Sequence, residues 1–433
     1  MESGDGLILR VKPRGGRLTL DQAAAIARLS LRFGNGHLDL TGRANLQIRG
    51  ARPETLDALT AGLRDAGLLD ANAAVETLRN IVASPLAGID PDCFDTAPFL
   101  AKLERCLAEG AQPTPIFPPS LRGGVAALAI QPGAGDLDCH APLAITGQRP
   151  ASLSALPAKW SFVVDGGGRL SLAGVSADMR FRFDHFGVLR IGLDELWSEP
   201  LAASFDLREL LRAAAALVAA QPKPMRIKAL LARLGSDVVL ASLGLRVSTE
   251  QIADTVSPKL AAPFAARNEV VAFAPPFGDL PAPLLEQLVA SCRAAGGADL
   301  RLTPWRVLLA TGISDQATLS ASLSRLDLIL DAADPRVKVS ACIGAPACHR
   351  ASAPTRTDAG LLAGTLGGDF DGIVHVAGCA KRCARPPEAA WTLLAREGRY
   401  DVFSADACDP SVTGLSSVDA ANWLSRAGRA RIS

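Results

Sequence analysis

The chain has 433 residues, 48% of them hydrophobic, which is enough for several domains with sizeable cores and argues against a disordered protein. Its 45 Lys and Arg residues balance 44 Asp and Glu residues, leaving a formal net charge of +1. Proteins that bind nucleic acids or membrane surfaces usually carry an excess of basic charge, so neither partner is expected and a small ligand is favoured. The acidic start of the chain and the lack of a long apolar segment predict a cytoplasmic protein without a membrane span.

An internal duplication is the main feature of the sequence. When the chain is aligned with itself at a shift of 262 positions, identical residues coincide at many positions and no gap is needed. Glycines and a proline are among them. Representative pairs are Pro13/Pro275, Gly16/Gly278, Leu38/Leu300, Thr41/Thr303, Gly50/Gly312, Ile81/Ile343 and Ala83/Ala345. Because glycine and proline constrain local backbone geometry, their shared phase predicts two copies of one fold.

Each copy is predicted to form a β-α-β-α half-domain with a trailing strand. The expected elements, first copy before second, are a strand (Leu7–Val11; Val270–Phe273), a helix (Asp21–Arg32; Leu284–Ala294), a strand with period-two alternation (His37–Ile48; Asp299–Leu309) and a second helix (Glu54–Ala66; Asp315–Leu328). This pattern is typical of an α+β protein.

The rest of the chain is predicted to form domains of a second kind. Strands are expected at Lys159–Asp165 and Gly187–Leu193, and helices with a connecting role at Leu207–Ala220 and Pro224–Leu234. The expected boundaries are 1–75 for the first copy, 76–205 for the domain after it, 206–262 for a helical connection, 263–335 for the second copy and 336–433 for a domain that contains paired cysteines.

Two cysteine pairs predict a metal centre. Five residues separate Cys342 from Cys348, and three separate Cys379 from Cys383. Structural zinc sites mostly use two to four intervening residues in each pair, whereas iron–sulfur clusters are held by four thiolates on varied spacings. The pattern therefore favours a cluster over zinc and over unrelated buried thiols. The remaining cysteines are interpreted as small hydrophobic residues: Cys93, Cys106, Cys139, Cys292 and Cys408.

These motifs resemble the nitrite and sulfite reductase family, through C-x5-C followed by G-C-x3-C and through segments 41–49 and 78–80. With the duplication, the resemblance covers nearly the whole chain. It implies two ferredoxin-like halves related by a pseudo-twofold axis and two related mixed α/β domains. It also implies a 4Fe-4S cluster on the four paired cysteines.

The same resemblance implies that Arg43, Arg79 and Lys159 bind the carboxylates of a tetrapyrrole. Arginine is suited to this task, since it stays charged and binds a carboxylate through two hydrogen bonds. Arg49, which lies two residues beyond Gln47 on the same predicted strand face, is a further candidate. Arg43, Arg79 and Lys159 are expected to converge with the cluster on one cleft.

Within the family, segments 159–167, 301–306 and 375–387 are most similar to an oxygen-dependent branch that acts in cobalamin biosynthesis. That resemblance implies a monooxygenase that uses precorrin-3A, dioxygen and an electron donor of unknown identity, with lactone formation. It also implies a mononuclear non-haem iron, for which His349 and His375 are candidate ligands, although lone histidines are more often structural.

Ser161 departs from the family pattern. The reductases that resemble this chain have a lysine there, which supplies charge and protons to the bound anion, and a neutral hydroxyl is a poor replacement. The sequence thus favours a polycarboxylate macrocycle as substrate over a reducible anion. The alternatives are a siroheme-dependent sulfite or nitrite reductase and a non-catalytic iron–sulfur protein.

Overall fold

The computed structural model describes residues 2–70, 72–111, 152–202, 204–250, 270–366, 370–405 and 407–429. No helix within these ranges is long and apolar enough to cross a membrane. Cys139 lies outside the described residues.

The first half contains the predicted first strand and both predicted helices in the predicted order, together with strands that were not predicted. Its strands and helices are β1 (Glu2–Ser3), β2 (Gly6–Val11), β3 (Arg17–Thr19), α1 (Leu20–Phe33), β4 (His37–Leu40), β5 (Leu46–Ala51) and α2 (Pro53–Asp65). A capping box starts α1, because the Thr19 hydroxyl accepts from the Gln22 N–H and the Gln22 side chain accepts from the Thr19 N–H.

The predicted strand over His37–Ile48 is instead a β-hairpin. Residues 41–45 form its turn, closed by a hydrogen bond from the Thr41 N–H to the Asn45 carbonyl, and Ala44 takes a positive φ of 51°. The second copy differs from its prediction in the same way, with Arg306 at a φ of 60°. The residues with a positive φ, Ala44 and Arg306, are not glycines, so the period-two alternation of each segment masked the reversal.

A mixed α/β domain follows. Its elements are α3 (Ala73–Leu78), β6 (Ile81–Ala83), α4 (Ala97–Gly110), β7 (Phe162–Asp165), β8 (Met179–Phe183), β9 (Leu189–Leu193), β10 (Leu196–Trp197), α5 (Leu207–Ala219), α6 (Ile227–Leu234) and α7 (Ser236–Ser242). The sheet has the order β10-β9-β8-β7-β6, with β6, β7 and β8 parallel and the other two pairings antiparallel.

The helices at 206–262 were predicted to connect two domains, but they pack into the first mixed domain. Leu211 of α5, Leu230 of α6 and Val239 of α7 are fully buried in the same core as Trp160 and Phe162. Their apolar faces therefore complete the first mixed domain, and a boundary at 205 divides one hydrophobic core.

The second half and the last domain repeat this arrangement. The second half contains β11 (Val271–Phe273), β12 (Asp279–Pro281), α8 (Ala282–Ala294), β13 (Asp299–Leu302), β14 (Leu308–Thr311) and α9 (Gln316–Leu323). The last domain contains β15 (Val339–Ala341), α10 (Thr355–Leu366), β16 (Ile373–Ala377), β17 (Ala389–Arg396), β18 (Arg399–Ser404), β19 (Val412–Leu415) and α11 (Ser417–Arg429). Its sheet, β15-β16-β17-β18-β19, has the same pairing senses as the first mixed domain.

The two halves exchange a strand with each other. β12 of the second half pairs with β4 of the first, with Leu280 opposite Leu38, and β3 of the first half pairs with β13 of the second, with Leu18 opposite Leu300. All four leucines are buried in one core that both halves share. The reciprocal pairing has the form of a twofold interface within one chain, as the 262-residue repeat predicts.

We predict that Leu280→Ala and its counterpart Leu18→Ala each lower the free energy of unfolding by about 2 to 5 kcal/mol, because each leaves a cavity where the exchanged strands meet. Leu31→Ala is the matched control, since 46% of the Leu31 side chain is exposed. Urea unfolding measures all three. A cost below about 1 kcal/mol for both core variants would show that the exchanged strands are not a principal source of stability.

Candidate functional site

Arg43 lies at the tip of the first hairpin. One of its terminal nitrogens, Nη1, is buried and has no hydrogen-bond partner among the described residues. Burial lowers the pKa of Arg43, and the positive charge of Arg226 lowers it further. An unpaired, buried donor next to a second cation is suited to binding an anion, because an anion would satisfy the donor and offset the repulsion.

A cleft of about 650 Å³ opens beside Arg43. Gly42 and Arg43 line it from the first half, Trp305 and Arg306 line it from the second hairpin, and residues 384–388 line it from the loop that follows Cys383. Its volume is within the usual range for small-molecule sites. The duplication therefore brings both hairpin turns and the cysteine-containing domain to one cavity.

The cleft is rich in guanidinium groups. Arg43, Arg306, Arg336 and Arg385 line it, together with one carboxylate, that of Glu388. Arg306 donates to the carbonyls of Phe277 and Ala341, and burial lowers its pKa to about 10, so it stays charged at neutral pH. Arg336 is already paired with Asp327 and Asp334, so the positive charge available to a ligand comes from Arg43, Arg306 and Arg385. An anionic ligand fits this lining better than a neutral one.

The four paired cysteines come together at one edge of the last sheet. Cys342 follows β15 and Cys379 lies two residues beyond the end of β16, and these parallel strands end side by side. The Gly378 N–H donates to the Cys342 sulfur at 3.1 Å. Burial raises the pKa of Cys383, Lys381 opposes the increase, and Cys342, Cys379 and Cys348 raise it further.

This donor set fits a four-thiolate cluster. Backbone N–H groups directed at sulfur and a nearby cation stabilise the negative charge of such a centre. Among the described residues, no three His, Cys, Asp or Glu side chains surround one point closely enough to bind a single metal ion.

The candidate ligands of a mononuclear iron do not form a common site. His349 is exposed, whereas His375 is fully buried on β16, with Nδ1 3.3 Å from the Ser340 hydroxyl and Nε2 without a partner among the described residues. Burial, followed by the charges of Arg306, Arg385 and Arg382, lowers the pKa of His375 to about 3. The described residues therefore supply no fitting ligand set for this iron.

The first mixed domain has a serine at the place of Cys342. The 262-residue shift pairs Cys342 with Asn80, but topology pairs it with Ser84, because each residue directly follows the first strand of its sheet. The Ser84 hydroxyl accepts from the Gly166 N–H at 2.8 Å, as the Cys342 sulfur accepts from the Gly378 N–H. The register of the repeat thus changes after the second half, and the predicted pairings Ile81/Ile343 and Ala83/Ala345 do not hold in the fold.

Arg49 supports the cysteine loop from the first half. Its guanidinium forms ion pairs with Asp5 and Asp39 and donates to the Ala347 carbonyl at 3.0 Å, between Cys342 and Cys348. Only 3% of its side chain is exposed. These contacts disfavour the predicted role of Arg49 in substrate binding and assign it to positioning the loop.

Arg79 is likewise occupied by internal contacts. It forms ion pairs with Asp70 at 2.6 Å and Glu76 at 3.0 Å and donates to the Lys12 carbonyl. A carboxylate ligand would have to displace these partners, so the described contacts disfavour a substrate clamp at Arg79 as well. Its acidic partners precede it by only nine and three residues, but no motif marks them.

Lys159 and Ser161 precede β7. Lys159 is exposed, so its ammonium is available to a ligand, while Ser161 is buried and donates both its N–H and its hydroxyl to Asp178. Of the predicted clamps, the structure thus places Arg43 in the cleft. Lys159 is not part of the cleft lining. Sequence reasoning missed Arg226, which carries no motif.

Most of the unpaired cysteines behave as predicted. Cys93, Cys106 and Cys292 are buried, and burial raises the pKa of Cys93 and of Cys292 to about 12, which keeps both thiols protonated. Cys408 differs from the prediction, since it is exposed.

The comparisons with known proteins agree with this architecture. Residues 1–66 match the family model described as nitrite/sulfite reductase ferredoxin-like half domain. A precorrin-3B synthase of Sinorhizobium sp is 28% identical over 416 residues, which cover 92% of this chain and 80% of that protein. A ferredoxin–nitrite reductase of Leptolyngbya laminosa is 34% identical over 112 residues, which cover 25% of this chain and 22% of that protein.

A solved structure shares the fold. The structure of the Mycobacterium tuberculosis NirA protein superposes with a TM-score of 0.67, covering 98% of this chain and 80% of that one at 18% identity. Together with the repeated topology, this likeness confirms the predicted α+β fold with two ferredoxin-like halves and two related mixed domains.

We predict that Cys379→Ser lowers both bound iron and acid-labile sulfide, because a serine hydroxyl is a much poorer ligand for iron than a thiolate. Cys408→Ser is the matched control, since Cys408 is exposed and outside the cysteine pairs. Both proteins are to be purified anaerobically and analysed chemically. Full sulfide content in the Cys379 variant would remove this residue from the ligand set.

We expect Arg49→Ala to lower the free energy of unfolding by about 3 to 5 kcal/mol, since it leaves buried Asp39 without one of its cationic partners. It should also lower bound iron, because the Ala347 carbonyl loses one of its two donors and keeps only the Ser3 hydroxyl. Arg28→Ala, on the exposed side of α1, is the control. Iron content equal to that of the parent protein would contradict the positioning role.

Proposed function

We propose that this chain, which resembles precorrin-3B synthase within the nitrite and sulfite reductase family, converts precorrin-3A to precorrin-3B in cobalamin biosynthesis. The observation that carries the proposal is the extent of similarity: the precorrin-3B synthase relative aligns along 92% of the chain, whereas the nitrite reductase of Leptolyngbya laminosa aligns along 25%. The enzyme would be an iron–sulfur monooxygenase.

The balance of the reaction defines what the protein must supply. One atom of dioxygen enters the macrocycle as a hydroxyl group at the carbon bridging rings A and D, and a ring A acetate closes a γ-lactone. The other oxygen atom leaves as water, which takes up two electrons and two protons. The reductant is a donor of unidentified structure, and the cluster would pass its electrons on.

The cleft would bind the macrocycle through its carboxylates. Arg43 offers a buried donor that has no partner among the described residues, and Arg306 and Arg385 add positive charge to the cleft lining. Trp305 and Phe277 supply apolar surface for the ring. Fixed cations and a flat apolar surface orient a polycarboxylate macrocycle without reacting with it.

Ser161 supports oxidation of a macrocycle over reduction of an anion. Its hydroxyl is donated to Asp178, so it has no proton to give to a ligand. Sulfite reduction needs many proton transfers, and the arginines that surround Arg43 do not lose a proton at neutral pH. Binding without proton delivery is suited to a substrate that is held by its carboxylates.

Cys342, Cys348, Cys379 and Cys383 would hold the 4Fe-4S cluster. When bound, the cluster supplies one-electron transfer. The protein's own part is to keep it close to the cleft, and residues 384–388, which directly follow Cys383, form one wall of that cleft. No step is assigned to a mononuclear iron, because the described residues do not form a ligand set for one.

A siroheme-dependent nitrite or sulfite reductase is the second candidate. It is favoured by local similarity to nitrite reductases and by the 33% identity of a 138-residue stretch to a sulfite reductase hemoprotein of Klebsiella pneumoniae. The same arginines could bind the carboxylates of siroheme.

One experiment separates the two functions. Anaerobically purified protein is mixed with precorrin-3A and a chemical reductant and then exposed to oxygen-18 gas. We predict a product that contains one labelled oxygen atom, in a protein whose extract contains iron and sulfide but no siroheme. Extracted siroheme together with sulfite- or nitrite-dependent oxidation of a reduced dye, without labelled product, would establish the reductase and overturn the proposal.

A further inference from the structure

Arg226 is fixed beside Ser161 by a buried carboxylate. Asp178 is 1% exposed at its side chain, and its Oδ1 accepts from the Arg226 Nε at 2.6 Å and from the Ile227 N–H at 3.0 Å. Its Oδ2 accepts from the Ser161 N–H at 2.9 Å and the Ser161 hydroxyl at 3.3 Å. Both oxygens of Asp178 therefore accept two hydrogen bonds each, and the bond to Nε orients the Arg226 guanidinium.

The outer side of Arg226 remains accessible. Its Nη2 lies 3.4 Å from the Ser161 oxygen, and 40% of the side chain is exposed. A guanidinium has five N–H donors, and Asp178 takes only the one on Nε. Arg226 thus presents donors to solvent from a position that a rigid network of hydrogen bonds determines.

Arg226 acts electrostatically on Arg43. Burial is the main cause that lowers the pKa of Arg43, the positive charges of Arg226 and Arg10 lower it further, and the negative charge of Asp178 opposes them. Arg43 also has a buried Nη1 with no partner in the described part of the chain. Residues 174–176, which closely precede Asp178, line the same cleft as Arg43. A carboxylate bound there would satisfy the Arg43 donor and would be attracted by the charge of Arg226.

We propose that Arg226, with Arg43, binds a carboxylate of the tetrapyrrole substrate and is a substrate-binding residue of this enzyme. The inference rests on the proposed function for the class of ligand. Arg226 lies in the segment between α5 and α6, which was predicted to be a connection, so the proposal gives this segment a role in substrate binding. Because arginine keeps its proton, this pair binds the carboxylate without protonating it.

The first test measures binding to uroporphyrin, a stable octacarboxylate porphyrin, by quenching of its fluorescence. Loss of a charge-assisted contact predicts that Arg226→Gln weakens binding about tenfold or more. Arg233→Gln is the matched control, since Arg233 is exposed on α6, the helix that Arg226 precedes. Binding by Arg226→Gln within twofold of the parent protein would overturn the inference.

Two further variants separate ligand binding from folding. Arg226→Lys keeps the charge, so it should retain more of the binding than Arg226→Gln if the contact is ionic. The double variant Ser161→Lys, Arg226→Gln restores one positive charge next to Asp178, on the segment that precedes β7. This variant should recover part of the affinity. Thermal unfolding of each variant reports on the Asp178 network. Equal loss of binding in the lysine and glutamine variants, at unchanged melting temperature, would contradict an ionic contact.

Turnover of precorrin-3A distinguishes this inference from the proposed function. If the parent protein turns precorrin-3A over, Arg226→Gln should raise KM with little change in kcat, because a contact to a remote carboxylate contributes to binding throughout the reaction. An unchanged KM would overturn the role of Arg226 alone. If the parent protein does not convert precorrin-3A but Arg226→Gln still loses uroporphyrin binding, the proposed reaction fails while the carboxylate site stands.

Discussion

The exchange of strands between the two halves is the constraint on which the rest of the structure depends. With Leu280 opposite Leu38 and Leu18 opposite Leu300, neither half can complete its sheet without the other. The two hairpins are therefore held in a fixed relation at the centre of the molecule. Gly42 lies close to the Pro304 carbonyl, so the hairpin tips meet there. The cleft forms beside that meeting point.

Around this symmetric centre the two copies have diverged in chemistry. The first hairpin presents Arg43 where the second presents Trp305, and the second presents Arg306 where the first has Ala44. The first mixed domain has Ser84 where the last has Cys342, while the glycine N–H that approaches each side chain is retained. The first copy thus carries the buried Arg43 donor that has no described partner, and the second copy is followed by the four paired cysteines. The pseudo-twofold arrangement brings the first hairpin and the loop after Cys383 to one cleft.

The sequence predicted what depends on local pattern. The repeat, the helices and the cysteine pairs follow from spacing alone, and the described structure has the predicted helices of both halves in the predicted order. The hairpins were missed because period-two alternation masked each reversal, in which Ala44 and Arg306 rather than glycines take the positive φ. The exchanged strands β3 and β12 were not predicted either. The internal ion pairs of Arg49 and Arg79 could not be predicted, because a motif identifies an arginine but not the carboxylates that pair with it.

The same limit explains why Arg226 was missed. Its position depends on Asp178, 48 residues earlier in the chain, and on Ser161, 65 residues earlier. No periodicity or spacing connects three such residues, since their proximity results from tertiary packing in the first mixed domain. The helices at 206–262 were assigned as a connection for a related reason, because amphipathic periodicity shows that a helix has a buried face but not which core buries it.

The central claim is that a polycarboxylate macrocycle binds in the cleft between the first hairpin and the loop after Cys383. A crystal structure of anaerobically prepared protein in complex with precorrin-3A tests it most directly. The account predicts the macrocycle between Arg43 and residues 384–388, next to the four cysteines, with a carboxylate bonded to the Arg43 Nη1 that now has no described partner. A macrocycle bound elsewhere, with Arg43 directed away from it, would contradict the account.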